Sequence, residues 1–186
     1  NNADDVFVHD RVTGQTTLVS VLAGGGVGNK ASTLPSISAD GRYVVFSTTE
    51  SNLVANDTNG TSDVVLRDRA ASTTAAVSAI GNSHSPLADV SDDGRFVAFA
   101  TRATNLHVPV NPSQAPNGAS QIYVLDLATG FLQVISTTSD GEPGVGDSTD
   151  PAITPDGRFV AFRSDAANLV DGDTNSALDI FLRDRQ

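Results

Sequence analysis

The sequence predicts an all-β repeat fold, and three observations predict it. Residues 36–46 read Ser-Ile-Ser-Ala-Asp-Gly-Arg-Tyr-Val-Val-Phe. The unit returns at 89–99, around Asp93-Gly94-Arg95, and at 152–162, around Asp156-Gly157-Arg158. Asn1, Asn59, Asn117 and Asn175 fall at equal steps of 58 residues, a period long enough for one supersecondary unit per repeat. No segment sustains the 3.6-residue apolar period of an amphipathic helix.

Each element follows from local chemistry. The stretch 5–11 (Asp-Val-Phe-Val-His-Asp-Arg) is rich in β-branched and aromatic residues and reads as a strand. Gly14 supplies the left-handed position of the turn after it, and 16–20 is the return strand. The same hairpin recurs at 63–78 and 121–136, and its first strand alone recurs at 179–185. Between hairpins stand the Asp-Gly-Arg units, each a short strand, an Asp-Gly turn and an apolar strand ending at Phe46, Phe99 or Phe162. Asp-Gly suggests a type I′ turn, with positive φ at both central residues.

One repeat is therefore a four-stranded antiparallel unit, and tandem units of this length indicate the blades of a β-propeller. The expected organisation is a single repeat domain, 1–186. Residues 1–27 form the outer hairpin of a preceding blade and a connector, 28–80 and 81–138 are blades, and 139–186 is a blade lacking its last strand. Three blades fall short of the four to eight that usually close a propeller. The expected shape is an open arc, cut from a longer chain or closed by pairing with other copies. The chain opens at Asn1 and contains no Met, which points to a processed product or a fragment.

Composition limits the function. Of 186 residues, 22 are acidic and 11 basic, and the net charge of -11 argues against nucleic-acid binding. The absence of cysteine removes disulfides and zinc–thiolate chemistry. No apolar run is long enough to span a membrane as a helix.

The pattern Ser-x-Ser-x-Asp-Gly-Arg-Tyr/Phe-Val-x-Phe, followed by Asp-Ile/Val-Phe-Leu-Arg-Asp, resembles the blades of the TolB-like β-propeller repeat family. The resemblance covers essentially the whole chain. It implies a bacterial exported protein, extracellular, on the cell surface or periplasmic, that works through protein contacts. An accessory propeller of a larger secreted hydrolase or lyase is the alternative. The expected partner is a protein, or another copy joined through open blade edges.

One chemical site stands out. In the loop 171–179, Asp171, Asp173, Asn175 and Asp179 carry oxygens at positions 1, 3, 5 and 9, and the Ala177 carbonyl fills position 7. Calcium takes six to eight such oxygens, so calcium is the expected ion. The loop 55–63 keeps Asp57, Asn59 and Asp63 but has Ala55 at the first position. Asp, Asn and Gly also form turns without any ion. No catalytic set is expected. Asp40, Asp93 and Asp156 sit in repeated turns, and the glycine-rich 24–32 stretch lacks the Gly-Lys of a phosphate loop. His9, His84 and His107 share no ligand spacing. The insertion at 107–116 is a tolerated surface loop or a binding edge.

Overall fold

The computed structural model describes residues 2–22, 25–54, 57–78, 81–106, 118–175 and 177–186. Among them there are thirteen strands and no helix. Strands β1 (Phe7–His9) and β2 (Thr16–Leu18) form a two-stranded hairpin. A four-stranded sheet follows in the order β3 (Ser32–Ile37), β4 (Tyr43–Thr48), β5 (Asp63–Asp68), β6 (Thr73–Ala76). A second repeats that order with β7 (Ala88–Val90), β8 (Phe96–Thr101), β9 (Gln121–Asp126) and β10 (Phe131–Val134). The last has three strands, β11 (Ser148–Ile153), β12 (Phe159–Ser164) and β13 (Asp179–Asp184). Every pairing between these strands is antiparallel.

Pleating explains why β4 is apolar or aromatic from Tyr43 to Phe46 and β8 from Phe96 to Ala100. Alternate side chains point to opposite faces, and both faces are covered. Val44, Phe46 and Val65 pack toward the β1–β2 hairpin with Val6 and Val19. Val45, Val64 and Leu66 pack toward the next sheet, against Val97, Phe99 and Tyr123. Beyond that sheet, Ala98, Ala100, Ile122 and Val124 meet Val160 and Phe162. Phe46 and Phe99 are fully buried, each contributing about 2–3 kcal/mol of hydrophobic stabilisation.

The innermost strands tie the sheets together. Asp89 in β7 accepts from Ser36 Oγ in β3 and from Ile153 N in β11 (2.9 Å), so one carboxylate bridges three sheets.

The Asp-Gly turn differs from the type I′ expectation. Gly41, Gly94 and Gly157 have positive φ, but the aspartates before them do not. Gly41 N donates to Ser38 O (2.8 Å) and Ser38 N to Tyr43 O (2.9 Å), giving a four-residue loop. The reason is the carboxylate. Asp40 Oδ1 accepts from Ser38 Oγ (2.7 Å) and Arg42 N (2.9 Å), which fixes a right-handed turn and leaves only glycine in the left-handed region.

Candidate functional site

The repeated charged residues form a structural ladder. Arg42 forks onto Asp68, Nε to Oδ1 at 3.0 Å and Nη2 to Oδ2 at 2.7 Å. Arg95 forks onto Asp126 and Arg158 onto Asp184 in the same way. These hydrogen bonds hold the Asp68 and Asp126 carboxyls down at about 2. Each guanidinium also lies over the ring of the next residue, Tyr43, Phe96 or Phe159, at 4.6–4.7 Å. Asp40 and Asp156 are held below the usual carboxylate range by hydrogen bonds within their own turns. Their bonds are those of turn residues, as the sequence predicts.

The loop residues read as calcium ligands are tied into a second relay. Asp63 is fully buried. Its Oδ1 accepts from Ser78 Oγ (3.1 Å), and Ser78 Oγ accepts from Val64 N (2.8 Å). Asn59 Nδ2 donates to Asp63 Oδ2 (2.9 Å) and to Gly81 O (2.8 Å), while Asn59 Oδ1 accepts from Thr61 N (2.8 Å). Burial pushes the Asp63 carboxyl above the usual range, against the pull of Asn59 and Ser78. Asp57 keeps a buried Oδ1 with no hydrogen-bond partner among the described residues. Ala55 and Asn56 lie outside the described residues.

The same relay serves the next sheet with different chemistry. Gln121 Oε1 accepts from Ser136 Oγ (2.6 Å), and its Nε2 donates to Gly144 O (2.9 Å). The Gln121 amide thus stands where the Asp63 carboxylate stands in the sheet before, and it also reaches the Gly144 carbonyl.

In the loop 171–179, Asp171, Asp173, Asn175 and Asp179 line one depression of about 520 Å³ beside Ile180, Phe181 and Leu182. Asn175 Nδ2 faces Asp179 Oδ2 at 3.1 Å, and Asn175 Oδ1 accepts from Ala177 N (2.8 Å). Among the described residues, no three His, Cys, Asp or Glu side chains gather closely enough to hold a metal ion.

One residue had no signal in the repeat pattern. Glu50 stands where the later sheets have Ala103 and Ala166, and only 4% of it is exposed. Its Oε2 accepts from the amides of Asn29 (2.8 Å) and Lys30 (3.1 Å). The glycine-rich stretch therefore has an anion of its own at these amides, the Glu50 carboxylate. Of the histidines, His9 Nδ1 meets Thr16 Oγ1 at 2.8 Å. His84 presents its backbone carbonyl to Thr101 Oγ1 (3.3 Å). His107 and the rest of the insertion lie outside the described residues.

No family model matches the chain, and no curated protein sequence matches it. Solved structures do. The chain is similar to TolB from Acinetobacter baumannii, with a TM-score of 0.57 and 17% identity over 97% of this chain and 35% of that one. The fold is that of a TolB-like β-propeller. A TolB structure from Agrobacterium tumefaciens is similar at a TM-score of 0.52 and 16% identity, over 91% of this chain and 52% of that one. So is the tricorn protease, at 0.54 and 15% identity, over 96% of this chain and 15% of that one. The propeller segment spans about a third of the Acinetobacter TolB chain. Its hairpin and three sheets are therefore an arc of blades, and the apolar clusters between its sheets are blade-to-blade contacts. No helix among the described residues is long and apolar enough to cross a membrane.

Proposed function

We propose that this propeller arc is a non-enzymatic, exported protein-binding module that docks another blade-type sheet on the outward face of its last blade. One observation carries the reading. Ile180 and Leu182 are 77% and 68% exposed, whereas Val64, Leu66, Ile122 and Val124, at the same places in earlier blades, are at most 5% exposed. In those blades the face is sealed by the next sheet. A face built to the same pattern accepts the same kind of partner. In a solution of this chain alone, that partner is a second copy.

The depression next to this face gives it an acidic rim, Asp171, Asp173 and Asp179. Calcium at this rim belongs to the same proposal. The donor set is all oxygen, which suits a hard cation. Binding requires the Asn175 amide to turn its hydrogen away from Asp179 and the three carboxylates to draw together from the positions they hold in the structure. Calorimetric titration with calcium tests this, using Asp173→Ala as control; heat at millimolar calcium that the variant loses supports the ion, and no heat removes it. An accessory propeller of a larger hydrolase would use the same face to seat its catalytic module.

A further inference from the structure

Arg67 lines a cavity of about 430 Å³ between the first connector and the β5–β6 hairpin, with Leu22, Leu53, Ser72, Thr73 and Thr74. The volume falls in the range of small-molecule sites. Its charge sets it apart. Two other cavities are lined by carboxylates, one by Asp171, Asp173 and Asp179, the other by Asp140, Glu142 and Asp171. No acidic side chain is among the described residues that line the Arg67 cavity, on a chain of net charge -11.

Arg67 is also set differently from its repeat counterpart. Arg183 donates to the backbone carbonyl of Thr137 (3.4 Å). Arg67 donates instead to Thr74 Oγ1 (3.1 Å), and neither arginine forms an ion pair among the described residues.

A second, independent feature lies in the cavity wall. The β1–β2 and β9–β10 turns place Gly14 and Gly130 at a left-handed position, φ 73° and 74°. The β5–β6 turn places Ser72 there, φ 56°. An L-residue at that conformation is disfavoured. Of the three turns, the one that accepts this cost is the one whose hydroxyl-bearing residue lines the cavity.

We propose that this cavity binds a small aliphatic carboxylic acid. The Arg67 guanidinium takes the carboxylate in charge-assisted hydrogen bonds, which its planar fork suits. The hydroxyl-bearing residues 72–74 offer further donors, and Leu22 and Leu53 take the hydrocarbon.

The test is a titration of the ¹⁵N-labelled chain with 4-methylpentanoate and, separately, with 4-methylpentanamide, followed by amide chemical shifts. The acid is expected to give saturable shifts centred on residues 67 and 72–74. The amide, and the acid added to Arg67→Gln, are expected to bind about tenfold more weakly or worse. Arg11→Gln should bind the acid unchanged. No saturable shift, equal binding of acid and amide, or unchanged binding by Arg67→Gln would overturn the proposal. Should Arg67→Gln fail to fold, the acid–amide comparison on the unsubstituted chain decides alone.

Discussion

Gly157 sits against the ring of Phe96, so the Asp-Gly turn of one blade rests on the aromatic residue that follows the Asp-Gly-Arg turn of the blade before it. Gly94 rests on Tyr43 in the same way. The Arg95 and Arg185 guanidiniums both lie over the Phe96 ring, at 4.7 and 4.6 Å from its centre. Glycine is thus required twice over at position 157, for its φ of 72° and for the space of a methyl group. Gly157→Ala is expected to destabilise the chain by about 2–4 kcal/mol, the sum of left-handed strain and overpacking. Gly41→Ala has the backbone strain but ordinary contacts around an added methyl, and should cost about 1–2 kcal/mol. Urea denaturation of both variants checks the difference, and equal losses would show that the ring contact contributes nothing.

Acid stability follows from two kinds of carboxylate with opposite signs. Hydrogen bonds from Arg42 and Arg95 hold Asp68 and Asp126 at about 2, below the unfolded value of about 3.9. Their contribution is complete above the unfolded value and is lost as pH falls through about 2. Asp63 is raised by burial, so its contribution is complete below the unfolded value and is lost as pH rises through the folded one. Urea midpoints should therefore fall from pH 5 to pH 2, and less so in Arg95→Gln. Asp63→Gln, which borrows the residue at the matching place in the next blade, should remove the opposing trend. A wild-type profile that is flat over this range would contradict the assignment.

Glu50 offers a direct check on the first connector. Glu50→Ala restores the residue found at 103 and 166 but leaves the amides of Asn29 and Lys30 without their acceptor. The expected loss is about 1–3 kcal/mol. Hydrogen exchange should show those two amides losing protection while β4 and β5 keep theirs.

The blades were legible because each rests on local chemistry that the repeat copies. Examples are the Asp-Gly-Arg turn, the apolar strand ending at Phe46, Phe99 or Phe162, and the paired hairpin. Contacts between copies were not legible. Nothing local to Gly157 announces that Phe96 lies against it, because the two are brought together only when blades stack. Glu50 was hidden for a related reason, since it breaks the repeat at a position where its counterparts are plain alanines. The oxygen-rich loops were harder still. Asn59 and Asp63 have the spacing of cation ligands, and the same two side chains also make hydrogen bonds with Ser78 and Gly81. Side chains of one chemistry suit both uses. The Gln121 counterpart marks the relay because it reproduces the bonds to Ser136 and Gly144 with no carboxylate at all.

The outward face of the last blade is where function is proposed, and the solution mass tests it most directly. Sedimentation velocity of the 186-residue chain over a range of concentrations is compared with that of a chain carrying Ile180→Asp and Leu182→Asp. Both side chains are exposed, so the substitutions should leave the blades folded by circular dichroism. The expected result is concentration-dependent association of the unsubstituted chain and a monomer for the double variant. A monomer at every concentration for the unsubstituted chain, or association unchanged by the two aspartates, would contradict the proposal.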